Sequence, residues 1–199
     1  MSSVVIAGDT SGSVTLSAPA VSGTTTLTLP TTSGTVITTG NIPTGSVLQI
    51  VQATKTDTAS YSTGNAWTDL VGISASITPS STSNKILINV SISSGCNGAA
   101  SPDSLVRLKR SGTAITGAVA DAAGSRLQGS FGLNTWRNSY ELGNASFQYL
   151  DSPSSTSSLT YGFDIKTGDT GFINRTHADE NGTGGERGIS VITLMEIKG

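Results

Sequence analysis

Cysteine is almost absent from this 199-residue chain: Cys96 stands alone. No intrachain disulfide can form, so a reducing compartment of synthesis is acceptable, and we read the thiol as a small buried hydrophobe. Charge is scarce too. Charged residues make up 12 % of the chain, and 11 Lys and Arg against 13 Asp and Glu leave a net charge of -2, with a pI near 5.2. That balance removes the basic footprint of a nucleic-acid partner. No apolar run reaches the roughly 18 residues that span a bilayer, which argues against membrane insertion. The opening stretch from Met1 to Asp9 has no charged n-region and no long apolar core, so the expectation is a protein made and used without signal-peptide export. Helix-favouring Lys and Glu are sparse, and helical periodicity is nowhere sustained.

What the chain has instead is Thr, Ser, Gly and β-branched apolar residues, which suit a pleated surface. A disordered chain of this composition would carry high net charge and few Val and Ile, and this one does not. The order in the N-terminal part is explicit. Gly12, Gly23, Gly34 and Gly45 stand eleven residues apart, each between Ser or Thr neighbours, and Pro19 and Pro30 share a phase. Between them run short alternating stretches such as Val14-Thr15-Leu16 and Leu27-Thr28-Leu29. One strand and one turn per unit fits that period. Two or three apolar side chains make no core, so such units must stack, or the same segment from several chains must wind together. With so few units the second solution is expected.

We place this repeat segment at residues 1–45 and a larger β-sandwich at 46–199. Strands are predicted at 47–53, 67–73 with an extension to 77, 85–92, 105–110, within 133–142, around Phe147 and Tyr149, at 159–165, at 172–173 and at 188–197. In 85–92 the alternation is strict, with Ile86, Ile88, Val90 and Ile92 on one side. The last strand is apolar on both faces, as a strand central in its sheet or lying against another subunit would be. The expected core contains Ile86, Ile88, Val90, Ile92, Tyr161, Phe163, Val191 and Met195. Short strands at roughly eight- to fifteen-residue intervals predict an antiparallel sandwich or barrel.

Three stretches carry a resemblance. Gly8 to Pro19 with Thr26-Leu27-Thr28-Leu29-Pro30, Ile77 to Leu87, and the ending Ser190-Val191-Ile192-Thr193-Leu194-Met195-Glu196-Ile197 resemble bacteriophage virion proteins, especially fibre proteins of marine and cyanobacterial phages. The resemblance implies a homotrimeric structural protein located in the virion, as a tail fibre or a capsid decoration. Its N-terminal segment would attach to other virion proteins, and a jelly-roll knob similar to the tumour-necrosis-factor type would serve host adhesion, with a surface glycan or protein as its receptor.

Candidate chemistry concentrates in 174–188, where Arg175, His177, Asp179 and Glu180 fall close together. Asp179, Glu180 and Glu186 can supply oxygen ligands to a divalent cation, but the spacing is not that of an EF-hand, and one His without a second His or Cys is a weak zinc signature. A solvated connection between strands is the simpler reading, and no metal or cofactor is assigned. The glycines of this loop precede a strand and not a helix, which weakens a phosphate cradle. Asn174-Arg175-Thr176 matches a glycosylation acceptor pattern. With one histidine and no Gly-x-Ser-x-Gly elbow, no nucleophilic triad is visible. Asp164 and Asp169 can be paired as glycosidase carboxylates, yet nothing sets their spacing. No enzyme is expected. Trp136 and Arg137, in a polar neighbourhood, are with the 174–188 loop the candidate binding surface of the alternative: a carbohydrate-binding or glycan-depolymerising virion-associated protein. Core or subunit interface is the competing place for Trp136.

Overall fold

The computed structural model describes residues 3–17, 20–21, 23–24, 26, 28, 31–64, 66–96, 104–133 and 139–199. The chain divides into two compact units, residues 1–40 and 41–199. In the first, β1 (Ser3–Ala7) and β2 (Ser13–Ser17) pair antiparallel, with Ile6 opposite Val14 and Val4 opposite Leu16. The turn closes through the Gly8 amide, which donates to the Gly12 carbonyl at 3.0 Å. Gly12, Gly23 and Gly45 all adopt positive φ, at 79°, 55° and 86°, a region a Cβ disfavours. At three of the four period positions the backbone thus needs glycine, whereas Gly34 has neither a positive φ nor a close neighbour that excludes a Cβ. Among the described residues of this unit, every large apolar side chain is exposed, from Val4, Val5 and Ile6 to Val36 and Ile37, and a lone two-stranded hairpin has no core to hold it.

The second unit is all-β and antiparallel. Its strands are β3 (Val47–Lys55), β4 (Ala59–Tyr61), β5 (Thr68–Asp69), β6 (Ala75–Ile77), β7 (Lys85–Cys96), β8 (Ser104–Arg110), β9 (Thr113–Ala114), β10 (Phe131–Gly132), β11 (Gly143–Asp151), β12 (Leu159–Thr167), β13 (Gly171–Ile173) and β14 (Ser190–Ile197), with one 3-10 turn at Thr116–Ala118. One sheet runs β3, β14, β7, β13, β4, with β11 on the free side of β7. The other runs β10, β8, β12, β5, with β6 beside β12 and β9 beside β8. The two sheets enclose one core, consistent with a β-sandwich. Ile86, Ile88, Val90 and Ile92 of β7, Ile192 and Leu194 of β14, Val106 and Leu108 of β8, and Tyr161, Phe163 and Ile165 of β12 fill it. Phe131 stacks on Phe147 at 5.1 Å and meets Phe163 edge-on at 6.0 Å, joining the sheets.

The structure corrects the sequence reading at several points. Val191 and Met195 are only half-buried and face outward; Ile192 and Leu194 point into the core in their place. The phase of β14 is set by two polar residues that turn inward with partners. Ser190 Oγ donates to Asn174 Oδ1 at 2.6 Å, and the Glu196 carboxylate accepts from the Ser80 amide at 2.6 Å, Asn84 Nδ2 at 2.5 Å and Gln49 Nε2 at 2.6 Å. The strand expected at 67–73 ends at Asp69, because Gly72 turns the chain at φ 85°. Tyr140, expected on a strand, lies in a turn. Conversely, β7 continues past Ile92 to Cys96, and a further strand, β4, lies between the strands expected at 47–53 and 67–73. Gly95 lets β7 continue there, since a Cβ would stand 2.5 Å from the Arg175 carbonyl oxygen.

Candidate functional site

The 174–188 loop is held by its own contacts. Arg175 and Arg187 form an isolated bridge, and the Thr176 amide donates to the Glu186 carbonyl. Asp179 lies between two guanidiniums, 2.5 Å from Arg187 and 3.4 Å from Arg175. Arg175 also covers the Phe172 ring at 4.2 Å and donates to the Thr176 and His177 carbonyls. The His177 ring packs against Phe172, with Nδ1 3.2 Å from Ser139 Oγ. Structure therefore brings Arg175, His177 and Asp179 together around Phe172, with Asp179 engaged by arginines. Glu180 curls over the Gly182–Gly185 turn, its carbonyl accepting from the Gly182 amide. Among the described residues, no group of three His, Cys, Asp or Glu side chains could hold a metal ion. Asn174 is fully buried at φ 61°, and its Nδ2 donates to the carbonyls of Lys55 and Asp57. An amide so engaged is a structural bolt rather than a glycan acceptor. Trp136 and Arg137 lie outside the described residues.

A second polar constellation lies on the outer face of the β8–β12 sheet. Register sets Asp164 between Arg107 on one neighbour and Asp69 on the other. Asp164 Oδ2 accepts from Arg107 Nε at 2.9 Å and Nη2 at 2.8 Å, and Oδ1 meets Lys109 Nζ at 2.7 Å. Lys109 also pairs with Asp69. The Trp67 ring caps Arg107 at 4.4 Å. Burial works to lower the Lys109 pKa, but hydrogen bonds to Asp164 and Asp69 outweigh it and the pKa is raised. The hydrogen bond from Lys109 holds the Asp69 carboxyl below its ordinary value. Beside this cluster opens a groove of about 330 Å³, bordered by Asp69, Lys109, Ser74, Thr160, Gly162 and Val71. Of these residues the sequence singled out Asp164 alone, and paired it with Asp169 instead of with Arg107 and Lys109. The usable signals were basic residues two apart in Arg107 and Lys109, and Trp67 and Asp69 at the same strand phase.

The outer face of the other sheet is of a different kind. Ile50, Met195, Leu87 and Leu150 stand opposite one another across β3, β14, β7 and β11, one apolar row spanning four strands. Ile50 is 60 % and Leu150 46 % exposed. The next row is polar and uncharged, Gln52, Thr193, Asn89 and Gln148. Lys85 is the single charged residue among the outward positions of these four strands.

No protein-family model matches the chain, and no curated protein matches it.

Proposed function

We propose that this protein is the subunit of a homotrimeric bacteriophage virion fibre, with a jelly-roll-like knob at residues 41–199 and an N-terminal repeat that mounts it on other virion proteins. The observation that carries the assembly reading is the apolar row Ile50–Met195–Leu87–Leu150 on a face almost without charge. Obligate homo-oligomer interfaces are apolar and poor in charge, and the amides and hydroxyls of the neighbouring row are donors and acceptors alike, hence complementary to a second copy of themselves. The exposed apolar side chains among the described residues of the first unit, from Val4 to Ile37, support the same reading, since winding together with the same segment of other chains would bury them. The virion setting rests on the resemblance to phage fibre proteins. Host-surface adhesion or particle decoration follows for such a knob, and the groove beside Asp69 supports carbohydrate binding as the second reading.

Light scattering on the intact chain tests the assembly. Three 20.1 kDa chains give about 60 kDa, and Leu87→Arg should yield the single-chain mass. A clean monomer of the parent at micromolar concentration sinks the trimer. Electron microscopy of particles carrying labelled protein tests the virion setting.

A further inference from the structure

We propose that the groove between Asp69, Lys109 and the bare backbone of Gly162 is a binding site for one neutral hexose ring. A volume of about 330 Å³ lies at the small end of ligand sites and suits a single ring. The charges decide which ligand. Lys109 Nζ sits between the carboxylates of Asp69 and Asp164, where a divalent cation would have to go. Arg107 and Lys109 are in turn matched by those two carboxylates, so the cluster sums to zero and leaves no cation to claim an anion. What remains is polar recognition without net charge. The Asp69 side chain is 73 % exposed and keeps lone pairs for hydroxyl donors; Lys109 has three N–H donors and two carboxylate partners, which leaves one for a hydroxyl oxygen. An acceptor beside a donor matches two neighbouring hydroxyls of a pyranose. Ser74 and Thr160 add hydroxyls to the lining, and the exposed Val71 side chain offers apolar surface to the C–H face of the ring. Gly162 keeps the floor low, since a Cβ there would stand 3.3 Å from Ser74 Cβ.

The test is an amide-shift titration of the labelled full-length protein with methyl glucoside, methyl galactoside and methyl mannoside, with inorganic phosphate and calcium chloride as controls. At least one glycoside should shift the Gly72, Gly112 and Gly162 amides saturably, with a dissociation constant on the order of 1 mM. Asp69→Ala should weaken it about tenfold or more, as loss of a hydrogen bond to a charged group does. Ser74→Leu, an exposed position on the wall, should block it while the melting temperature of both variants stays that of the parent. Three glycosides without saturable shifts, an unchanged response in Asp69→Ala, or a phosphate or calcium response at the same amides overturns the site. The inference gives the adhesion reading a ligand class but is read independently of it. A trimer that binds no hexose removes the groove alone, and a monomer that binds one removes the fibre alone.

Discussion

Tyr161 Oη donates a 2.6 Å hydrogen bond to Asp151 Oδ2, the same oxygen that Arg110 Nη1 holds at 2.6 Å. Asp151 closes β11 in one sheet, while Tyr161 and Arg110 lie opposite each other on β12 and β8 in the other. The contact is a polar pin through the edge of an apolar core. Burial pushes the phenol pKa up, and the adjacent Asp151 raises it further. Tyr161→Phe keeps the packing and removes one donor from a buried carboxylate, and should cost about 1–3 kcal/mol in urea unfolding. Unchanged stability would show that the pin holds nothing.

Ile88 and Met195 belong to opposite sides of the same sheet. Ile88→Ala opens a cavity in the core and should cost about 2–5 kcal/mol. Met195→Ala, at a half-buried outward position, should cost the single chain less than about 1 kcal/mol while weakening self-association, because outside the core only the transfer term is lost. Denaturation compared with light scattering separates the two. Equal unfolding costs would mean that the face of β14 is misassigned.

Acid should loosen the sandwich through Glu196. Burial acts to raise its pKa, but hydrogen bonds from Asn84, Gln49 and Ser80 outweigh it and hold the folded value below the ordinary 4.5. A carboxyl depressed in the folded state stabilises above its unfolded pKa, and that stability is lost as pH falls through the folded pKa. Melting temperature should therefore drop as pH is lowered below about 4.5, and Glu196→Gln should flatten part of that fall. An unaltered pH profile in Glu196→Gln would assign the acid sensitivity elsewhere.

Removal of residues 1–40 should leave a folded sandwich. The Gly45 amide donates to the Lys198 carbonyl at 2.9 Å and the Lys198 amide to the Ser46 carbonyl at 2.8 Å, so residues 41–45, expected as the end of the repeat segment, belong to the second unit. The truncated chain should melt cooperatively within about 3 °C of the parent, a loss under about 1 kcal/mol. A molten truncated chain would make the N-terminal segment part of the folding unit.

Strands were legible in the sequence wherever one face is apolar and the other is not. Ile86 to Ile92 alternates without exception, and both its location and its buried face follow from that pattern. In Ser190 to Ile197 the polar residues Ser190, Thr193 and Glu196 fall every third place, which selects neither face. The choice was made by Asn174, Asn84 and Ser80, remote in sequence and invisible to a local pattern. The groove escaped for the same reason. Asp69, Lys109 and Asp164 are separated by 40 and 55 residues along the chain, and only the pairing of β12 with β5 and β8 makes them neighbours. The loop cluster at 174–188 was visible because its charges are contiguous; their use of one another, as in Asp179 between two arginines, was not.

The position of β14 has a kinetic side. β3, the first strand of the second unit, pairs only with β14 among the described strands, and β14 fills the gap between β3 and β7. Thr54 must therefore wait for Val191, made 137 residues later. Contacts of such long range slow folding, because loop closure precedes any gain from them. During synthesis β3 and one edge of β7 stay open, each a template for a neighbouring nascent chain. A chain ended before residue 190 would leave β3 without a partner and one edge of β7 bare, so aggregation should depend more steeply on a few residues near position 190 than on a much larger cut at residues 1–40.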